Sequence, residues 1–355
     1  MGSNCSCFRN TVPDEKIDEL PFEVSCQKIA QFKEPLPSPR SSEVQIIKLQ
    51  SILRGYLERK HCQNINYFTF NISSPSKKPG VLKEIPEHKV PDYSTPLSRN
   101  TEKNLGPFKY SESVPGQLCK RGYVELDNGV IYIGEWNSKQ EREGRGVQYW
   151  PDGSKYEGNW EDDKANGKGR LIHADGDVYD GNWKDDKAEG HGIYIHSNGA
   201  QYIGEWVEDK QHGSGKESWP DGANYEGLYI KGSKEGKGKF IWSDGSKYEG
   251  EFYLNNIHGF GVYEWADGRK YVGEWKRNKM DGKGEFTWSD GRKYIGEYLN
   301  DKKHGKGLFQ WPDGRKYEGE WADGKQHGKG LFSKIDIEPI ETEWKDGKRI
   351  KMLFN

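Results

Sequence analysis

Between residues 132 and 321 the chain spells Tyr-x-Gly-x-aromatic nine times, and seven of the eight steps between successive tyrosines are 23 residues. The tyrosines are Tyr132, Tyr156, Tyr179, Tyr202, Tyr225, Tyr248, Tyr271, Tyr294 and Tyr317. The first step alone is 24, an insertion assigned to the loop near residues 139–143. A fixed period of this length means a stack of small similar units rather than one globule with a private core. Function is then expected along a surface instead of in a catalytic pocket.

The unit reads as a β-hairpin. In residues 304–321, Asp313-Gly314 separates two alternating segments, a strong short-range hairpin signal. Phe309 and Trp311 share one face of the first strand, a pattern repeated by Phe240/Trp242, Tyr263/Trp265 and Phe286/Trp288. In the second strand Tyr317, Gly319 and Trp321 share a face, with Glu318 and Glu320 on the other. One side of the hairpin is therefore aromatic and the other charged. The aromatic side is the candidate surface, carried by Tyr248, Trp265, Tyr271, Trp275, Trp288, Tyr294, Trp311, Tyr317 and Trp321.

Each middle glycine, Gly158 or Gly319 for example, sits between two large rings. Glycine weakens a strand, so its recurrence predicts close approach of a ring from an adjacent strand. The second glycine pair, Gly305/Gly307 and its equivalents, is expected in the turn to the next hairpin. Nine such units form a ribbon of about 85 Å. Gly122, Asn128 and Gly129 read as half a unit before Tyr132, and Ile340 to Trp344 as a degenerate one after Tyr317, as capping units should be.

These residues resemble MORN (membrane occupation and recognition nexus) repeats over about residues 118–345, departing where Tyr229, Phe252 and Tyr298 replace tryptophan. The resemblance implies an all-β, single-layer antiparallel ribbon, sometimes dimeric, used in scaffolding and membrane-proximal assembly.

Composition divides the chain in two. Twelve of the 16 prolines lie in residues 1–115, whereas all 13 tryptophans and 40 of 45 glycines follow residue 119. The domains expected are a disordered segment 1–41, a helix 42–62, a proline-containing linker 63–117, the array 118–345 and a tail 346–355. With 54 basic and 56 acidic residues interspersed, no global field points to nucleic acid. Arg269-Lys270, Arg292-Lys293 and Arg315-Lys316 could line up as a stripe for anionic lipid, but Lys316, Glu318 and Glu320 share a face, which favours a solvated mixed-charge side. His212, His258, His304 and His327 recur one hairpin apart, roughly 10 Å, too far to share an ion; they are expected to line turns, and no metal or cofactor is expected. Five cysteines without disulfide or zinc spacing suit a reducing compartment.

The start, Met-Gly-Ser-Asn-Cys-Ser-Cys, fits N-myristoylation at Gly2, with Cys5 and Cys7 placed for S-palmitoylation. One acyl chain binds a membrane only marginally and two hold it stably. In residues 42–62, Ser42 and Gln45 resemble a capping box, and Ile46, Leu49, Leu53 and Tyr56 recur at helical steps among Lys48, Arg54, Arg59 and Lys60. Leu49, Gln50, Arg54, Gly55 and Arg59 look like an IQ motif. That resemblance implies calmodulin or a related EF-hand partner, with Gln50 and Arg54 on one lobe, Arg59 on the other, and Ile46, Leu53 and Leu57 as apolar anchors. The competing reading is a helix folded back on the aromatic face of the repeats.

The expectation is a non-enzymatic scaffold, lipid-anchored on the cytoplasmic face of a plasma, ciliary or flagellar membrane, binding an EF-hand protein and a cytoskeletal or membrane-associated protein. Dimerisation, lipid contact by the ribbon and calcium dependence stay open. A soluble axonemal or cytoskeletal component is the first alternative. A regulatory subunit of a lipid-modifying enzyme is the second; residues 345–355 leave no room for a kinase domain after the repeats.

Overall fold

The computed structural model describes residues 82–110, 118–335 and 337–353. They form one open sheet of 22 strands in which each strand pairs antiparallel with the next in sequence. This is the single-layer ribbon of hairpins expected from the 23-residue period.

One unit shows how the sequence builds it. Strands Lys302–Gln310 and Lys316–Ala322 pair Gly307 with Gly319 and Phe309 with Tyr317. Between them Trp311 N donates to Arg315 O at 2.9 Å and Gly314 N to Trp311 O at 3.0 Å. Gly314 takes a positive φ of 83° and Asp313 Oδ1 accepts from Arg315 N. The Asp-Gly pair thus closes a three-residue loop with its glycine at the left-handed position. Two-residue turns join one hairpin to the next, with positive φ at both positions, as at Asp162-Asp163 (47°, 66°) and Asn300-Asp301 (52°, 70°). Asp and Asn tolerate that region better than other side chains.

The second glycine pair lies inside a strand, not in a turn. Gly305, with φ 57°, sits where the register jumps from Gly296↔Gly307 to Glu297↔His304. The bulge frees backbone donors, and the glutamate of the next position accepts them: Lys283 N to Glu274 Oε1 at 3.0 Å and Arg145 N to Glu135 Oε2 at 2.7 Å. Gly307 lies opposite two other glycines.

The middle glycines correct the expected geometry as well. A Cβ on Gly158 would lie 2.5 Å from Gly169 Cα and 2.5 Å from Tyr156 Oη. The covering ring thus belongs to the glycine's own strand, two residues earlier, and reaches on over the glycine of the following strand. The repeated glycines make room for one flat tyrosine per unit.

At the C-terminal end, strand Ile337–Lys345 is the degenerate unit: Trp344 packs on Tyr317 at 5.5 Å, and Thr342 fills the glycine slot, donating to Gly330 O at 2.9 Å. The stretch set apart as a tail contains a further strand, Lys348–Leu353.

Residues 82–110 fall in the expected linker yet pack on the array. Strand Lys83–Glu84 pairs with Cys119–Glu125. Helix Pro96–Leu105 starts from a capping box between Thr95 and Ser98, with proline in its first turn. Prolines suit a strand edge and a helix start, so their recurrence at 86, 91 and 96 did not preclude this path. Tyr93 Oη donates to Gly129 O at 2.8 Å, Thr95 Oγ1 to Ala174 O at 2.6 Å and Thr101 Oγ1 to Gly176 O at 3.1 Å. Arg170 donates to Gly106 O, and Arg145 and Arg170 lie over Tyr110 and Phe108. This strap crosses the charged face of the first units.

Candidate functional site

Every repeat tyrosine is held edge-to-face between two rings, the aromatic residue four positions on and its equivalent in the next unit. Tyr156 meets Trp160 at 5.0 Å and Trp183 at 5.2 Å; Tyr294 meets Tyr298 and Trp321, both at 5.2 Å. Each tyrosine hydroxyl donates to the backbone carbonyl three residues later, as Tyr179 to Asn182 O at 2.9 Å and Tyr317 to Glu320 O at 3.1 Å. Burial pushes these phenols upward from their ordinary pKa. The indoles of Trp183 and Trp321 donate to Gly169 O and Gly307 O. This row is interior. Of the residues assigned to the aromatic surface, Tyr248, Tyr271, Tyr294, Tyr317, Trp275 and Trp321 are buried.

Trp265, Trp288 and Trp311 are half-buried and belong to a second row. It runs from Trp219 through Phe240, Trp242, Tyr263, Trp265, Phe286, Trp288, Phe309 and Trp311 to Phe332, with ring centroids 4.4–6.3 Å apart. Phe286 and Phe309 of this row are buried, and its half-buried rings are the accessible part of the aromatic face. The row begins at Trp219 because the equivalent positions before it are interrupted by Glu217, His196, Leu171, His173 and Gln148, with Tyr194 and Trp150 between them. Lys303 is buried against it, its Nζ within 4.7–5.7 Å of the centroids of Trp288, Tyr294, Phe309 and Trp321.

Five of the six side chains in the basic pairs are matched locally. Arg269, Arg292 and Arg315 lie 5.4–5.5 Å from the centroids of Trp265, Trp288 and Trp311, and each pairs with the turn aspartate two residues before it at 2.7 Å. Lys270 reaches Glu264 at 3.0 Å and Lys293 reaches Glu285 at 2.7 Å. This matches the mixed-charge side rather than a stripe of free cations.

His212, His258, His304 and His327 sit on strands beside the bulges, not in turns. No group of three or more His, Cys, Asp or Glu that could hold a metal occurs among the described residues. Gly2, Cys5 and Cys7, and the segment carrying Ile46, Leu49, Gln50, Leu53, Arg54, Gly55, Leu57 and Arg59, lie outside the described residues. Among those described, no helix is long and apolar enough to cross a membrane.

Two features escaped the sequence reading. The second residue of each inter-hairpin turn reaches back to the preceding unit: Asp163 Oδ1 accepts from Arg142 N, Asp186 from Ala165 N, Asp209 from Ala188 N, Asn255 from Lys234 N, Asn278 from Ile257 N and Asp301 from Met280 N, all at 2.7–2.8 Å. Glycine replaces it at 232 and 324, where backbone bonds to Gln211 O and Lys303 O remain. The recurrence of Asp, Asn or Gly every 23 residues was the available signal. The second feature is unique to one unit: Asp177 accepts from Tyr194 Oη, His196 Nδ1 and Ser197 N at 2.8–2.9 Å. Burial raises its pKa, yet these hydrogen bonds and the His196 ring outweigh it and hold the carboxyl down at about 2.

Among solved structures, the chain is similar to the TCP10 domain of Danio rerio CPAP, with 12% identity over 65% of this chain and 98% of that one and a TM-score of 0.32. It is also similar to the TCP domain of Drosophila melanogaster SAS-4 (dCPAP), solved in complex with a proline-rich motif of Ana2, with 10% identity over 61% and 99% and a TM-score of 0.22. No curated protein matches the chain. The family described as MORN repeat matches residues 132–155, 156–178, 179–201, 202–223, 225–247, 248–268, 271–291, 294–314 and 317–336, more than half of the sequence. With nine matched units laid out as consecutive hairpins of one open sheet, the chain belongs to the MORN-repeat family.

Proposed function

We infer that this protein is a non-enzymatic scaffold held at a membrane through its acylated N-terminus, loaded with calmodulin or a related EF-hand protein at residues 42–62, and binding a protein partner along the ribbon. MORN repeats suggest a membrane- or lipid-associated scaffold role. The observation that carries the partner surface is the set of half-buried rings, mostly tryptophans, in the row from Trp219 to Phe332, since the tyrosine row beside it is consumed as core. The locally paired arginines and lysines favour protein over anionic lipid as that partner. The anchor rests on Gly2, Cys5 and Cys7, and the EF-hand site on the spacing of Leu49, Gln50, Arg54, Gly55 and Arg59.

The native chain and Gly2→Ala, expressed in eukaryotic cells, test the anchor by membrane fractionation and mass spectrometry of the N-terminal peptide. An acylated native chain in the pellet and a soluble variant support tethering. Both chains soluble, with the peptide unmodified, would replace it with the axonemal or cytoskeletal reading. The EF-hand site is tested separately by calmodulin binding to the native chain and to Gln50→Ala/Arg54→Ala, with and without calcium. Equal binding by the two chains sinks it.

A further inference from the structure

The charged face is not charged throughout. On its middle units Ile203, Val207, Leu228, Ile230, Tyr253 and Phe260 are 40–55% exposed. They share that face on alternate strands: Ile203, Leu228, Ile230 and Tyr253 alternate with the buried Tyr202, Tyr229 and Phe252 of their own strands, and Leu228 and Ile230 are two apart on one strand. Lys216, Ser214, Glu235, Ser233 and Asn256 lie opposite them on the strands between, with Phe260 opposite Glu274. Leu228 occupies the slot that holds glutamate in most units. From strand Gln201–Val207 to strand Asn256–Glu264 is five strand steps, about 24 Å.

We propose that this patch seats the amphipathic segment 42–62 of the same chain. Three observations select that occupant. The strap 82–110 already packs a helix and two rings on this face, and its contacts at Arg170 stop three strands short of Ile203. The described chain begins at Leu82 beside the first unit, and the 20 residues from 62 to 82 span up to about 66 Å. Nine strand steps, about 43 Å, separate the first unit's edge from strand Asn224–Ile230. As a helix, residues 42–62 would measure about 31 Å, and the stripe Ile46, Leu49, Leu53 and Tyr56, about 15 Å long, fits within the patch and shares its apolar character. The helix then lies against the face opposite the ring row, not on the aromatic face.

The regulatory consequence rests on the EF-hand reading, whereas the seating does not. Leu49 and Leu53 cannot face the patch and an EF-hand groove at once, so seating competes with capture and lowers apparent EF-hand affinity by the fraction seated.

The test uses the full chain with a photo-crosslinking amino acid at Leu53, beside the same chain carrying Ile230→Lys and Tyr253→Lys. These two side chains are exposed, and an unchanged thermal melt confirms the sheet is intact. Crosslinks within one molecule to residues 203–260, reduced at least about tenfold by the double change, are expected. Crosslinks between molecules, onto the ring row, or to no described strand overturn the proposal. Calmodulin is then titrated onto both chains. If it binds, the double variant binds tighter, by up to about tenfold. If it binds neither, the EF-hand reading falls while the crosslink map still decides the seating. Equal affinity together with patch crosslinks would remove the competition and leave the seating.

Discussion

Glycine and tyrosine are chosen here for each other. A methyl group on Gly158 or Gly319 meets both the opposite glycine and a tyrosine hydroxyl, and neither can retreat because that hydroxyl is fixed to a carbonyl. Gly158→Ala is expected to cost about 1–3 kcal/mol through overpacking. Gly158→Ala should cost more than Gly245→Ala, where φ is positive but nothing lies near. Urea midpoints of the two variants check the order, and equal costs would refute the close-approach account. The turn aspartates give a second residue-scale test. Burial, against the bonds from Ala165 N and Ala188 N, raises Asp186 and Asp209 to about 6. A carboxyl raised in the fold supports stability fully below its unfolded pKa of about 3.9, and that support is lost as pH climbs through about 6. Asp186→Asn/Asp209→Asn keeps an oxygen acceptor, as Asn255 and Asn278 already do. The variant should melt higher than the native chain at pH 7.5, by roughly 2–4 °C per ~1 kcal/mol, and lose that advantage at pH 4. Calorimetry at both values decides it; an advantage independent of pH would assign the gain to something else.

At the scale of elements, the strap and its helix are the part most open to local perturbation. Thr95 both caps the helix and donates to Ala174 O. Thr95→Ala should weaken the strap by about 1 kcal/mol. Hydrogen exchange should then rise several-fold in Pro96–Leu105 and stay unchanged in Lys302–Gln310. Exchange that rises equally in both would mean the strap is not a separate unit. Periodicity two, with Asp-Gly between, fixed the hairpins and the pairing of their faces, because a slip of one residue would expose every tyrosine. It did not separate the buried tyrosine row from the accessible tryptophan row, since both alternate identically along a strand. What divides them is cross-strand distance, visible only once neighbouring units are placed. The glycine pair at 305 and 307 was assigned to a turn for a related reason: a bulge and a turn both call for positive φ. The strap was hidden by prolines that in fact begin its helix.

For the whole molecule, contacts are almost all between successive strands, so stability should sum over units and junctions. Deleting residues 225–247, one full period, brings Tyr202 onto Phe252 in place of Tyr229, an exchange of one ring for another. That variant should fold with a single cooperative melt within a few degrees of the parent, about 2–4 °C per ~1 kcal/mol. Deleting only residues 236–247 removes one strand, reverses the direction of all that follow, and should give an aggregated or partly unfolded chain by near-ultraviolet dichroism. Similar behaviour of both deletions would contradict the additive ribbon.

Because each tyrosine is closed on one side by its own unit and on the other by the ring of the unit after it, a growing chain leaving the ribosome is always one unit in arrears. The latest tyrosine emerges with half its cover and waits 23 residues for the rest. The arrears end at Trp344, which covers Tyr317 but follows Ile340, so it brings no new tyrosine to be covered.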